Sequence, residues 1–72
     1  MKRLGRVVSI HDDKLVVQLE VEKKPKIGDK VFDDKGNFIG HILEYFGSVK
    51  NPAAIVSCRK DPGKYLNKEV FY

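Results

Sequence analysis

Apolar and polar side chains alternate in the first part of the chain in the way that is typical of a β-strand. Between residues 15 and 21, apolar side chains occupy every second position, and the polar residues Gln18 and Glu20 fall on the opposite face. This two-residue period predicts a half-buried strand over 15–21. The β-branched run 4–10 precedes it, and the polar turn 11–14 joins the two runs, so they predict a β-hairpin.

The rest of the chain continues this β pattern. No stretch has a sustained helical period, although a single helical turn around 64–67 is compatible with the sequence. About six short strands joined by turns predict an all-β single domain over residues 1–72, a small closed or nearly closed barrel without free sheet edges. The predicted segments after the hairpin are a charged connection at 22–26, strands at 31–32, 38–46, 53–58 and 68–72, turns at 33–37 and 61–63, and a loop at 47–52.

Charge and cysteine content narrow the class of protein only slightly. The net charge is +4 and the sequence pI is about 9.3, and each half of the chain carries +2, from nine basic and seven acidic residues in 1–36 and from five and three in 37–72. Such an even spread indicates either an ordinary solvated surface or a weak attraction to RNA. Cys58 is the only cysteine and no signal-peptide or membrane pattern is visible, so we expect a cytoplasmic protein without a disulfide.

The sequence offers no convincing set of catalytic or metal-binding residues. His11 and His41 are far apart in the sequence, and one cysteine cannot supply paired metal-ligand motifs. Neighbouring carboxylates at 12–13 and 33–34 are typical of turns, and Cys58 is best interpreted as a small buried apolar residue. We therefore expect a protein that is not an enzyme and has no catalytic residue, metal, cofactor or small-molecule substrate.

The most informative segment is the predicted strand 38–46 with the loop that follows it. Large apolar side chains stand on both of its faces, although a barrel this small has one interior, so an apolar outer face would mark a docking surface. The alternative is that the strand bends and both faces become partly buried. Residues 36–49 contain no Lys or Arg, which argues against a platform for stacking RNA bases on this strand. Strict alternation places Phe38, Ile42 and Phe46 on one face and Ile39, Leu43 and Tyr45 on the other.

These residues resemble the archaeal form of the glycine–arginine-rich protein subunit of box H/ACA ribonucleoprotein particles. The similarity is strongest at Ile39-Gly40 and in the stretch 45–52, where Phe-Gly-x-Val-x-x-x-Pro is moderately specific. Ser48 stands where this family prefers proline, which we expect to loosen the loop, and Ala53 stands where it prefers tyrosine. Weaker similarity covers 2–7, 15–17, Pro25 and 28–33.

The resemblance implies a fold, a partner and a role. The fold is a six-stranded split barrel of the translation-factor and reductase type, and the partner is the catalytic domain of the pseudouridine synthase subunit. The small subunit performs no chemistry, meets guide and substrate RNA only through the particle, and supports substrate loading and product release in rRNA modification. The implied contact residues are Phe46, Gly47, Val49 and Pro52, to which the strand pattern adds Ile39, Leu43 and Tyr45.

Two other interpretations remain open at this point. Residues 30–40 also resemble the start of a PRC-barrel, which would imply a ribosome-assembly factor that binds a ribosomal protein. Alternatively, Lys23, Lys24 and Lys26 could bind RNA directly, in which case affinity would fall steeply with salt because each neutralised phosphate releases counterions. Docking through an apolar surface predicts a weak dependence on salt. Whether Phe71 and Tyr72 pack on the barrel or on a partner is left open by the sequence.

Overall fold

A computed structural model describes residues 1–21 and 24–72. Short antiparallel strands, connected by turns and one stretch of 3-10 helix, account for the regular structure of these residues, so the all-β prediction is confirmed. The strands are β1 (Arg3–His11), β2 (Lys14–Leu19), β3 (Lys30–Phe32), β4 (Phe38–Gly47), β5 (Pro52–Ser57) and β6 (Glu69–Phe71), and the 3-10 helix is Pro62–Tyr65.

The strands close into a barrel in the order β1-β2-β5-β4-β3-β6. Every neighbouring pair is antiparallel, as expected for strands joined by short turns. In the described residues, the seam between β3 and β6 consists of one residue pair, Phe32 with Phe71, so the barrel is closed but thinnest there. Residues 1–21 and 24–72 contain no helix with the length and hydropathy to span a membrane.

The period-2 pattern of the second strand is confirmed. Leu15, Val17 and Leu19 lie in the core while Gln18 and Glu20 are exposed. The strand ends at Leu19, two residues before the predicted end, because the chain leaves the ladder there, although a half-buried Val21 still packs against the core. Of the charged connection predicted at 22–26, positions 22 and 23 lie outside the described residues.

The C-terminal segment completes the barrel. Lys2 and Tyr72 exchange both backbone hydrogen bonds at 2.8 Å, and Phe71 pairs with β1 and β3, so both terminal aromatic residues pack on the barrel itself. The predicted helical turn at 64–67 begins earlier, as the 3-10 helix Pro62–Tyr65. Proline is favoured in a first helical turn because its fixed φ suits that position and its missing N–H costs nothing there.

The core is small, and backbone passes close to backbone around it. A Cβ atom on Gly5 would overlap the Gln18 carbonyl oxygen, and one on Gly40 would overlap the Ser57 carbonyl oxygen. Glycine therefore permits the close strand contacts that a narrow barrel needs. The buried hydrophobic residues of the core are Leu4, Val7, Leu15, Val17, Leu19, Val31, Ile39, Ile42, Ala54, Val56, Cys58, Tyr65 and Val70.

We predict that Gly5→Ala destabilises the barrel by about 1–3 kcal/mol or more, because the added methyl group can be accommodated only if β1 and β2 move apart. The free energy of unfolding, measured by urea denaturation, checks this. Gly63→Ala is the matched control, since no described atom lies within 4 Å of a Cβ at Gly63. Equal stability of the two variants would contradict the account of the close strand contact.

Candidate partner-binding surface

Irregularities in strand β4 decide which of its side chains face the outside. The register of β4 against β3 skips Ile39, and its register against β5 skips Leu43. Each extra residue is a β-bulge, which interrupts the strict alternation of faces along a strand. At the second bulge, Leu43 and Glu44 are consecutive exposed residues. The strand therefore presents apolar side chains outward at positions that a regular strand would not.

The predicted division of β4 into two faces is wrong for this reason. Ile39 and Ile42 are both buried, although strict alternation assigns them to opposite faces. Tyr45 is half-buried on the inner side, while Phe38, Leu43 and Phe46 are exposed. The expectation that Ile39 and Tyr45 share an outer face with Leu43 is thus corrected, because the two bulges turn them inward.

An apolar surface extends from β4 across β5 to β2. Ala53 and Ile55 point outward on β5, because their neighbours Ala54 and Val56 fill the core. The cross-strand partner of Ala53 on β4 is Phe46, which is 47% exposed. We call this surface the outer apolar face, and it consists of Val16, Leu43, Phe46, Val49, Ala53 and Ile55.

Part of the outer apolar face was missed by the sequence interpretation. Ile55 pairs with Val16 of β2 and with Glu44 of β4, and Val16 and Ile55 are half-buried rather than enclosed. The signal was present in the sequence, because residues 53–56 are apolar at consecutive positions and a strand in a small barrel buries only one face.

The loop between β4 and β5 is short and contains a hydrogen bond between two of its own residues. Gly47 has a φ of 95°, and a Cβ there would lie 2.5 Å from the Asn51 carbonyl oxygen, so the position requires glycine. The Asn51 N–H donates a hydrogen bond of 3.0 Å to the Ser48 hydroxyl oxygen. Ser48, at the position where the family prefers proline, thus accepts a hydrogen bond within the loop, and Pro52 pairs with Gly47 at its base. Val49 projects from it and is 98% exposed.

Tyr45 anchors β4 to the segment before β3. Its hydroxyl donates a hydrogen bond to the Pro25 carbonyl oxygen, and the Lys24 ammonium lies 5.4 Å from the centre of its ring. Burial raises the pKa of the Tyr45 hydroxyl, and the nearby carboxylate of Asp29 raises it further, so the group stays a donor at neutral pH. The role of Tyr45 in this arrangement is to position the strand that carries the outer apolar face.

The candidate catalytic groups do not converge. His11 is exposed at the end of β1, where its Nε2 lies 3.3 Å from the Ser9 hydroxyl, and His41 is exposed on β4. Cys58 is 2% exposed, and burial raises the pKa of its thiol, which opposes formation of the nucleophilic thiolate. Among the described residues, no three His, Cys, Asp or Glu side chains come close enough together to hold a metal ion.

The acidic pairs serve turns, as predicted. The Asp33 carboxylate accepts hydrogen bonds from the backbone N–H groups of Lys35 and Asn37, at 2.9 and 2.8 Å. Burial alone would raise the pKa of Asp33, but these hydrogen bonds outweigh that effect and lower it. Asp12 has a φ of 56° in the β1–β2 turn, and Lys14 Nζ lies 3.1 Å from the neighbouring Asp13 carboxylate.

The lysines considered for direct RNA binding are only partly available for it. Lys23 lies outside the described residues. Lys24 is exposed, but its ammonium lies over the Tyr45 ring. Lys26 is also exposed, and its backbone N–H donates a hydrogen bond to the Asp29 carboxylate, which closes a turn. The described part of this segment therefore offers two lysines and a neighbouring carboxylate rather than a basic patch.

The comparisons with known proteins bear on the family. A family model described as the Gar1/Naf1 RNA binding region matches residues 1–72. No curated protein is similar enough to the chain to count as a match. The family match confirms the resemblance to the H/ACA subunit, and it includes the stretch 30–40 that also resembles a PRC-barrel. The chain therefore belongs to the Gar1/Naf1 family, an accessory RNA-binding family of H/ACA ribonucleoproteins.

Proposed function

We propose that this barrel is a non-catalytic subunit of an H/ACA particle that docks on the catalytic domain of the pseudouridine synthase. The observation that carries the proposal is the outer apolar face, exposed in a chain of which 33% of the residues are charged. Apolar surface that a small soluble barrel leaves in water is typical of a protein-binding site. Membership of the Gar1/Naf1 family supports a particle of this kind.

The loop from Gly47 to Pro52 supplies the most exposed part of this contact. Val49 has almost its whole side chain in solvent, so burying it in an apolar pocket of a partner would gain more than any other single apolar contact on this face. The positive φ of Gly47 and the hydrogen bond to Ser48 hold the loop in place before binding. A preorganised loop loses less conformational entropy on association.

The role of the docked barrel is to bias a mobile element of the synthase. A partner can shift such an equilibrium only through contacts that differ between its two states. The rigid loop and the outer apolar face are suited to hold a substrate-gripping loop in one position and to release it when product leaves. Substrate loading and product release would then depend on the barrel, while the chemistry stays in the synthase.

We predict that Val49→Asp weakens binding to a pseudouridine synthase of the same source by at least about tenfold, because a carboxylate would be buried without a partner. Calorimetry without RNA, at low and high salt, measures this. The wild-type affinity is expected to change little with salt, since the contact is apolar.

Leu66→Asp is the control for that experiment. Leu66 is another exposed apolar residue, but it follows the 3-10 helix, which packs on β1 and β2, and it is not part of the outer apolar face. Its substitution should leave the affinity unchanged. Failure of the wild-type protein to bind the synthase, or equal losses from the two substitutions, would refute docking through this loop.

Ser48→Ala is expected to weaken the same binding by about two- to tenfold, because the Asn51 N–H loses its acceptor and the loop becomes freer. Ser48→Thr keeps a hydroxyl acceptor and should retain most of the affinity. Thermal unfolding should barely change in either variant, since the loop is exposed. If both variants bind like the wild type, the loop is not preorganised by this hydrogen bond.

A further inference from the structure

A second surface feature lies at the start of β4, at the other end of the strand from the Gly47–Pro52 loop. Here a groove of about 690 Å³ opens between β4 and the end of β5. Its lining combines an aromatic ring, an imidazole and two basic side chains, and among the described residues no carboxylate lines it. The side chains that matter for its chemistry are Phe38, His41, Ser57, Arg59 and Lys60.

The ring of Phe38 is exposed and has two aromatic neighbours. It is 52% exposed, although it is one of the largest apolar side chains in the protein. Its edge-to-face contacts are with Phe32, at a centroid distance of 6.2 Å, and with His41, at 5.2 Å. Such contacts stabilise aromatic pairs. One side of the groove is therefore an aromatic surface in water.

The floor of the groove is fixed by contacts between the two strands. Gly40 allows the backbone of β4 to pass directly against the Ser57 carbonyl, and the His41 N–H donates a hydrogen bond of 3.0 Å to the Ser57 hydroxyl oxygen. These contacts set the spacing between the aromatic side of the groove, on β4, and the basic side chains that follow β5.

The basic side chains come from a different part of the chain than the aromatic ring. Arg59 and Lys60 are exposed immediately after β5, and neither forms an ion pair with a described carboxylate. Asp13 is near enough for Arg59 to lower its pKa slightly, but its carboxylate is already bonded to Lys14 Nζ, which is the larger cause of that lowering. The lack of Lys and Arg in 36–49 argued against base stacking on this segment. The sequence did not reveal that the fold brings Arg59 and Lys60 beside it.

The basic lining continues beyond this groove. A smaller cleft of about 210 Å³ shares Phe38 and Lys60 with it and adds Lys64 and Tyr65. The Lys64 ammonium lies 5.1 Å from the centre of the Tyr65 ring. Asp33 also lines this cleft, but its carboxylate is occupied by the hydrogen bonds of its own turn. The result is a track of two adjoining clefts, in which the exposed ring of Phe38 lies beside the basic side chains of Arg59, Lys60 and Lys64, while Tyr65 is buried.

We propose that this track is an RNA-binding site for unpaired nucleotides. Phe38 provides the surface on which a base stacks, and Arg59, Lys60 and Lys64 bind the phosphates on either side of it. Exposed rings interleaved with cations are the usual chemistry of single-strand recognition. Double-stranded RNA is recognised by surfaces that span many base pairs, which a groove of this size does not provide.

The proposed RNA site and the Gly47–Pro52 loop lie at opposite ends of β4. Phe38 begins β4 and Gly47 ends it; a regular strand of ten residues covers about 30 Å, and the two bulges make β4 shorter than that. Leu43, a member of the outer apolar face, lies between them and borders the groove, so the two surfaces meet there. The Gly47–Pro52 loop and the basic side chains of the track share no residue, so one barrel can contact a protein through the loop and RNA through the track at the same time. The RNA proposal does not depend on the identity of the protein partner.

Binding of a fluorescent oligouridylate of about ten nucleotides, followed by anisotropy, tests the site. We expect Phe38→Ala to weaken binding by about tenfold and Phe38→Trp to retain it, because tryptophan keeps a stacking surface. Replacing both Arg59 and Lys60 by alanine should lower the slope of log affinity against log salt by about 1.4, since each phosphate contact on a single strand contributes about 0.7.

Matched variants separate this site from the alternatives. Phe46→Ala removes an equally exposed aromatic ring from the outer apolar face, and replacing both Lys24 and Lys26 by alanine removes the other candidate lysines. Neither change should alter RNA affinity by more than about twofold. Measured against the synthase, Phe46→Ala should weaken binding and Phe38→Ala should not, so failure of one proposal is distinguishable from failure of the other.

Three results would overturn the RNA site. Absence of binding by the wild-type protein is the first, and binding of an RNA duplex as tightly as the single strand is the second. The third is a loss of synthase binding rather than RNA binding in Phe38→Ala, which would make the track a protein contact. Unchanged thermal unfolding of Phe38→Ala and Phe38→Trp shows that any loss is not due to misfolding.

Discussion

The small interior of the barrel is the constraint on which the rest of the molecule depends. Thirteen buried hydrophobic core residues among the described ones fill it, so each strand can place only one of its faces inside. Strand β4 has more large apolar side chains than the interior can take. Its two bulges resolve the conflict by turning Ile39, Ile42 and Tyr45 inward and leaving Phe38, Leu43 and Phe46 in solvent. The surfaces available to partners follow from that selection.

The exposed aromatic residues of β4 have different neighbours, which suit them to different ligands. Near the end of β4, Phe46 pairs with Ala53 of β5, and the Gly47–Pro52 loop adds Val49, which together make a surface suited to another protein. At the start of β4, Phe38 faces the cations that follow β5, which makes a surface suited to a polyanion. Similar aromatic side chains on one strand are therefore proposed to serve two kinds of ligand. The difference is that Phe46 lies beside the start of β5, whereas Phe38 lies beside the residues that follow its end.

Much of the fold could be predicted from the sequence, because it depends on local patterns. The alternation in β2, the Asp and Gly content of the 33–37 turn and the family-like loop each indicate their structure directly. The faces of β4 could not be predicted, because a bulge is set by the register with neighbouring strands and leaves no local signature. The cations beside Phe38 were missed for a related reason, since Arg59 and Lys60 approach the ring only after β4 and β5 pair. Ser48 shows a smaller effect of this kind, because its hydroxyl replaces the restraint that a proline would have supplied.

The central claim is that two ligands bind at the two ends of β4. Chemical-shift mapping by NMR tests it most directly. The isotope-labelled barrel would be titrated first with the unlabelled catalytic domain of the synthase and then with the oligouridylate. The account predicts that the synthase perturbs the amides of Phe46, Gly47 and Val49, and that RNA perturbs those of His41, Arg59 and Lys60. Perturbation of one common set of amides by both ligands, or of the β1–β6 side of the barrel by either, would contradict it.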